Sequence, residues 1–290
     1  PETWVFALET DFKCRFCAEC LGFGCAGELP GMGGVNANKN FILNCAAWKK
    51  LDFGPFDFGK KEIRLAPMTG AVENVGYFDE KQFYFDLINE CSKFGIKLSI
   101  GDGVPDTKLK WGIEAVQTAG KKAAVFIKPY SNKKILERFE WAQSISEYCG
   151  IDIDAYNIVT MRNKAQLEKK DPSLLIELKN YFSKKGIPFV IKGIFTDEDL
   201  ELVKEVKPDV AFVSNHGGRI KTREGSSAEF LSENFKMLKS NCDELWVDGG
   251  IRLWNDVYKG QSYGASEVLV GRPFASALCK KNSFDNILKN

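Results

Sequence analysis

The segment Val213-Ser214-Asn215-His216-Gly217-Gly218-Arg219 holds the only histidine of the 290-residue chain, followed at once by two glycines and an arginine. Imidazole is the side chain whose ordinary pKa lies near neutrality, so it can take a proton from a substrate under mild conditions. A guanidinium three residues further on offers a planar fork that matches a carboxylate. The pair reads as a base beside an anchor for an acid. Gly217 and Gly218 let the backbone turn tightly and approach a ligand without a Cβ in the way. A capped strand end with a surface histidine and arginine would look similar, and for a lone histidine that is the commoner meaning; the residues downstream argue for chemistry.

Two later loops also set glycine beside arginine. Asp248-Gly249-Gly250-Ile251-Arg252 and Gly271-Arg272-Pro273-Phe274 each follow a short apolar run. Backbone N–H groups in such turns, joined by a guanidinium, suit a phosphate. One Gly-Arg pair means little, because arginines at loop ends are usually solvated, but two after successive runs form a pattern. Lys192 closes another apolar run, Phe189-Val190-Ile191-Lys192-Gly193.

These residues need a scaffold that gathers strand ends on one face. Short β-rich runs occur at Ile63–Met68, Lys97–Gly101, Ala123–Lys128, Tyr148–Asp154, Phe189–Gly193, Asp209–Val213, Leu245–Asp248 and Val268–Gly271. Helical patterns lie between several of them, at Glu80–Phe94, Lys133–Ser146 and Leu174–Lys185, and Asn40 can cap a helix running to about Lys50. Eight such runs alternating with helices predict an α/β chain folded as a (β/α)8 barrel with a short Cys-rich N-terminal extension. A doubly wound open sheet is the rival. The barrel is favoured because Lys192, His216, Arg219, Asp248, Arg252 and Arg272 all fall just past strand ends, as a one-faced active site requires.

With 44% hydrophobic residues and a formal net charge of +1, the chain has ample core and no basic excess that would draw it to nucleic acid or an anionic membrane. No apolar run is long enough to span a bilayer, and a cytoplasmic location is expected. Of nine cysteines, Cys45, Cys91, Cys149, Cys242 and Cys279 are scattered through apolar segments, whereas Cys14, Cys17, Cys20 and Cys25 crowd together. Close spacing in a cytosolic chain favours thiolate metal ligation over disulfides, and either an iron–sulfur cluster or zinc fits four thiolates.

Ser214-Asn215-His216-Gly217-Gly218-Arg219, then Asp248-Gly249-Gly250-Ile251-Arg252, then Gly264-Ala265 to Val270-Gly271-Arg272-Pro273-Phe274, resemble the FMN-dependent α-hydroxy acid oxidase and dehydrogenase family, which includes glycolate and lactate oxidases. The resemblance is close from about residue 188 to 276 and looser before that. The Cys-rich head followed by Pro30-Gly31-Met32-Gly33-Gly34 is similar to an anaerobe-type branch. The resemblance implies residues 1–60 as a Cys-rich segment with a helix and residues 61–290 as an FMN-binding barrel. It implies FMN contacts from Ala66, Pro67, Met68, Lys128, Asp152, Lys192, Ser214, His216, Asp248 and Gly249, with the phosphate on Gly250, Arg252, Gly271 and Arg272. His216 is then the base, Arg219 the carboxylate anchor, Lys192 the cation beside the reduced ring, Tyr130 a substrate contact, and Asp154 the carboxylate that orients His216. Asp152 and Asp154 would share one face of the fourth strand by alternation. If that strand instead ran from Tyr156 to Thr160, Arg162 would take the aspartate's place.

The chain also departs from the family. Ile220-Lys221-Thr222 follows the Gly-Gly-Arg where Gln-Leu-Asp is usual, Lys128 stands where a glutamine is usual, and the cysteine segment replaces a region that supplies a tyrosine. The expected reaction is oxidation of a small 2-hydroxy acid to a 2-oxo acid, with electron acceptor and oligomeric state open. The alternatives are a flavin enzyme without net oxidation, similar to type 2 isopentenyl diphosphate isomerases, or a flavin- and thiol-based redox sensor.

Overall fold

In a computed structural model, the described residues are 39–60, 62–72, 77–158, 161, 165–279 and 281–288, with the two-residue strands Trp4–Val5 and Arg15–Phe16. Cys14, Cys17, Cys20 and Cys25 lie outside them. Eight strands, β1 (Arg64–Leu65), β2 (Leu98–Gly101), β3 (Ala123–Ile127), β4 (Ser146–Asp152), β5 (Phe189–Ile194), β6 (Val210–Val213), β7 (Glu244–Val247) and β8 (Glu267–Val270), form one parallel sheet in the order β1-β8-β7-β6-β5-β4-β3-β2. A parallel bridge between Arg64 and Lys97 joins its two edges. The sheet is therefore a barrel, not an open doubly wound sheet.

The helices that follow the strands begin where the sequence offers caps. The helix α2 (Glu80–Lys93) starts after Asp79, which accepts from Gln82 N at 2.7 Å. Likewise α5 (Pro172–Lys184) starts after Asp171 with proline in its first turn, and α6 (Asp197–Val206) and α7 (Ser227–Lys239) open with the reciprocal capping pairs Thr196/Asp199 and Ser226/Glu229. The others are α3 (Thr107–Thr118), α4 (Asn132–Ala142), α8 (Trp254–Ser262) and α9 (Arg272–Cys279), with α1 (Lys39–Lys50) ahead of the barrel.

Strand residues alternate between two cores. Ala66, Ala124, Phe126, Val190, Val210, Phe212, Trp246 and Leu269 fill the barrel, while the larger cluster, including Val125, Ile127, Ile191 and Val247, packs under the helices. The amino-terminal end of the barrel is closed by Arg64, which donates to Leu98 O at 2.6 Å and pairs with Glu147 and Glu267. Its guanidinium also lies over the Trp246 ring, 4.9 Å from the centroid.

Three boundaries differ from the sequence reading. Strand β4 ends at Asp152, and Ile153–Asn157 forms a single 3-10 turn, so Asp154 sits on that turn and not on the strand face. The predicted helix to Ser146 stops at Ala142, because Ser146 already opens β4. Asn40 does not cap α1 but lies inside it, where its side chain donates to Ile220 O and Arg223 O and accepts from Gly225 N. No helix among the described residues is long and apolar enough to cross a membrane.

Candidate active site

The loop after β6 is built around a backbone that turns left-handed three times in succession, at His216 (φ +56°), Gly217 (+65°) and Gly218 (+89°). A non-glycine residue in that region stores strain that its surroundings must hold. Asn215 does so from inside the loop: its Oδ1 accepts from Gly218 N at 2.9 Å and from Asn44 Nδ2 at 2.7 Å, and its Nδ2 donates to Asn44 Oδ1 at 2.9 Å. Ser214 Oγ accepts from His216 N at 3.1 Å. The histidine ring is thereby fixed relative to β6.

His216 Nδ1 lies 3.0 Å from Asp154 Oδ1 and 3.6 Å from Asp152 Oδ1. Once ionised, Asp154 is an acceptor only, so Nδ1 carries a hydrogen and, in the neutral imidazole, Nε2 keeps the lone pair. Burial alone would lower the His216 pKa, but Asp154 and then Asp152 outweigh it and raise it. Burial, followed by the charge of Asp152, pushes the Asp154 carboxyl up to about 6. Asp152 goes the other way: burial would raise it, yet Lys192 and His216 hold it well below the usual carboxylate range. Lys192 Nζ donates to Asp152 Oδ1 at 2.7 Å, and despite burial its pKa is raised by Asp152, Asp154 and Asp248.

At the carboxyl ends of the strands these groups open onto one cavity of about 1020 Å³, counting the space at its mouth. Lys192, His216 and Arg219 line one side, Ala66, Pro67, Met68 and Leu269 supply apolar wall, and Asp248, Gly249, Gly250, Arg252, Gly271 and Arg272 line the rest. Residues 122–283 match the family model described as FMN-dependent dehydrogenase. The chain belongs to this family.

Among relatives, 2-hydroxyacid oxidase 2 of Bos taurus is 38% identical over 131 residues, 43% of this chain and 37% of that protein. The 4-hydroxymandelate oxidase of Amycolatopsis orientalis is 42% identical over 92 residues, 32% and 26% of the two chains. The matched region thus spans about a third of the length of these curated relatives. A crystal structure of mandelate oxidase with benzoyl-formic acid superposes with a TM-score of 0.64 at 21% identity, covering 90% of this chain and 82% of that one, which shows a shared fold.

The FMN-dependent dehydrogenase fold raises the question whether this cavity suits FMN, and its lining fits. Arg252 is buried with Nε lacking an acceptor among the described residues, as a phosphate oxygen would supply. Asp248 Oδ1 is buried without a donor among the described residues, which a sugar-alcohol hydroxyl would satisfy. The amino terminus of α9 opens into the same end at Gly271 and Arg272. The apolar wall suits one face of a flat ring, and Lys192 is a cation at the cavity floor.

Several sequence-predicted residues act from behind the lining. Asp154 backs His216, Asp152 backs Lys192 and Ser214 holds the loop, none of them lining the cavity. Lys128 is 4% exposed beside Asp102 and Asp152 and does not line the cavity either. Tyr130 is not brought to this cavity: it is 1% exposed, with Lys134 and Arg138 against its ring at 4.3 and 4.6 Å.

The glycines make the tight turns read in sequence, with positive φ at Gly217, Gly218, Gly249 and Gly250, and three of them have a second reason. A Cβ on Gly218 would meet Phe41 N at 2.5 Å, one on Gly249 would meet Ser227 Oγ at 2.3 Å, and one on Gly250 would meet Asn44 O at 2.0 Å. Close approach of α1 and α7 demands glycine there. The sequence reading missed α1 as part of the site. Phe41 lines the cavity with the Arg272 guanidinium 4.1 Å from its ring centroid, and Trp48 Nε1 donates to Gly249 O at 2.7 Å. The signal was present: Asn40, Asn44 and Trp48 share one helix face, and asparagines inside a helix need partners.

Proposed function

We propose that the chain is an FMN-dependent enzyme that oxidises a small 2-hydroxy acid to the 2-oxo acid. The observation that carries this reading is the Asp154–His216 contact at 3.0 Å behind a cavity that Arg219 and Lys192 also line. Bound FMN would supply the two-electron acceptor, taking up the substrate's α-hydrogen with its electron pair. Arg219 holds the substrate carboxylate by a planar, charge-assisted fork. Nε2 of His216 takes the hydroxyl proton, and Asp154 stabilises the imidazolium that results. Lys192 offers positive charge where the reduced ring becomes negative. Arg252, Arg272 and the start of α9 would hold the phosphate of FMN, and Asp248 would accept from its hydroxyl groups. An anchor for a carboxylate next to a base favours oxidation of an acid over isomerisation of a diphosphate, which carries no carboxylate.

The benzoyl-formic acid bound by the mandelate oxidase is itself a 2-oxo acid, which supports the substrate class. The test is rapid mixing of the FMN-loaded protein with a 2-hydroxy acid in the absence of oxygen. His216→Ala should keep its flavin but lose about 10²–10⁴-fold in the rate of flavin bleaching, the usual weight of a general base. A variant that bleaches as fast as the parent would refute the proposed mechanism. Iron and zinc assays on the same protein test Cys14, Cys17, Cys20 and Cys25 as a metal site and as a route for electrons out of the flavin.

A further inference from the structure

Asp152 and Asp154 do not hold equivalent places. Asp154 contacts the histidine, whereas Asp152, the last residue of β4, sits in register across from Lys192 of β5 and receives its Nζ at 2.7 Å. The same Oδ1 stands 3.6 Å from His216 Nδ1. Both members of the Asp152–Lys192 pair are nearly fully buried, at 7% and 3% exposure. Only the lysine lines the cavity. A ligand there therefore meets a cation whose charge is offset from directly behind. Such a pair, cut off from solvent, is screened little, so its balance governs the field at the cavity floor.

We propose that Asp152 is a positioning residue: it anchors Lys192 and, by offsetting its charge, holds down the reduction potential of the bound flavin. This inference rests on the reading above, in which FMN binds with its ring beside Lys192. Reduction adds negative charge to the ring, and a bare lysine would stabilise that charge more than a paired one. With the carboxylate removed, Asp154 and Asp248 still favour the protonated lysine against its burial. The net field at the floor then becomes more positive, which favours both the reduced flavin and anions that add to the oxidised flavin.

The test compares the parent with Asp152→Asn and Asp152→Thr, all loaded with FMN, by dye-coupled reductive titration and by sulfite titration of the oxidised flavin. Both neutral variants should bind sulfite at least about tenfold more tightly and show a potential raised by about 30 mV or more, the two-electron equivalent of tenfold. Asp152→Glu, which restores the charge, should return toward the parent in both. Unchanged potential and sulfite affinity in a neutral variant that retains flavin would overturn the proposal. Loss of flavin from both neutral variants, with the parent retaining it, would also overturn it, since Asp152 would then be holding the site together. A parent protein that binds no FMN would overturn the flavin reading itself.

Discussion

At the residue scale, the site works by giving two neighbouring carboxylates opposite environments. Asp152, tied to Lys192, is held ionised, while Asp154, buried beside it, is raised to about 6 and serves His216. As the proposed base, His216 would act only when neutral, and its pKa is raised above the ordinary value of about 6.5. Activity should therefore rise with pH through an apparent pKa above about 6.5 and level off above it. Because the two groups interact, that value belongs to the pair. Asp154→Asn removes the largest charge that raises His216. In a profile of kcat/KM against pH, its acid limb should move to lower pH while the plateau falls by about 10²-fold or more. An acid limb left in place would mean that Asp154 does not set the base. That His216, Arg219, Lys192, Arg252 and Arg272 line one cavity was legible in sequence because they recur just past successive apolar runs, although any one of them alone would mean little. That Tyr130 lies outside the cavity lining was not legible, because spacing cannot tell a side chain that faces the cavity from one packed against Arg138.

At the element scale, α1 fastens the loops after β6 and β7. Asn44 binds Asn215 and accepts from Ser227 N, Asn40 binds the segment from Ile220 to Gly225, and Trp48 reaches Gly249. Gly250→Ala should expose this packing. Its φ is +81° and the new Cβ would lie 2.0 Å from Asn44 O, so α1 must shift. Gly186→Ala is the matched control, with φ +68° but open space around the new atom. The control should cost about 1–2 kcal/mol in urea unfolding, the ordinary penalty for left-handed backbone. Gly250→Ala should cost more and should also weaken FMN retention; equal costs with flavin held normally would show that α1 does not brace the site. The strands and helices around these loops followed from apolar runs and caps, but the docking of α1 did not. It depends on contacts nearly 200 positions apart, such as Trp48 with Gly249, that no local pattern encodes.

At the scale of the whole molecule, the barrel divides stability from chemistry between its two ends. The amino-terminal end is closed by Arg64 with Glu147, Glu267 and the Trp246 ring, far along the strands from His216. Arg64→Met takes a cation from Glu147 and Glu267, of which Glu267 keeps Lys97 at 2.7 Å, and leaves Leu98 O without its donor; it should cost about 1–3 kcal/mol. It should lower the urea midpoint while leaving the bleaching rate of the folded fraction unchanged; a slowed reaction at full folding would break that division. The eight-strand alternation made the barrel legible, because few other folds place so many polar groups just past strand ends. The buried arginine plug was not legible, since Arg64 reads as one charged residue in a β-rich run until closure brings Glu147 and Glu267 to it. The central claim concerns the other end and is tested most directly by an anaerobic absorbance spectrum of FMN-loaded protein during titration with a panel of 2-hydroxy acids. Flavin bands that bleach with at least one acid, and not with the matching amide that Arg219 cannot hold by charge, are the predicted result. Flavin that binds yet stays oxidised across the panel would contradict the account.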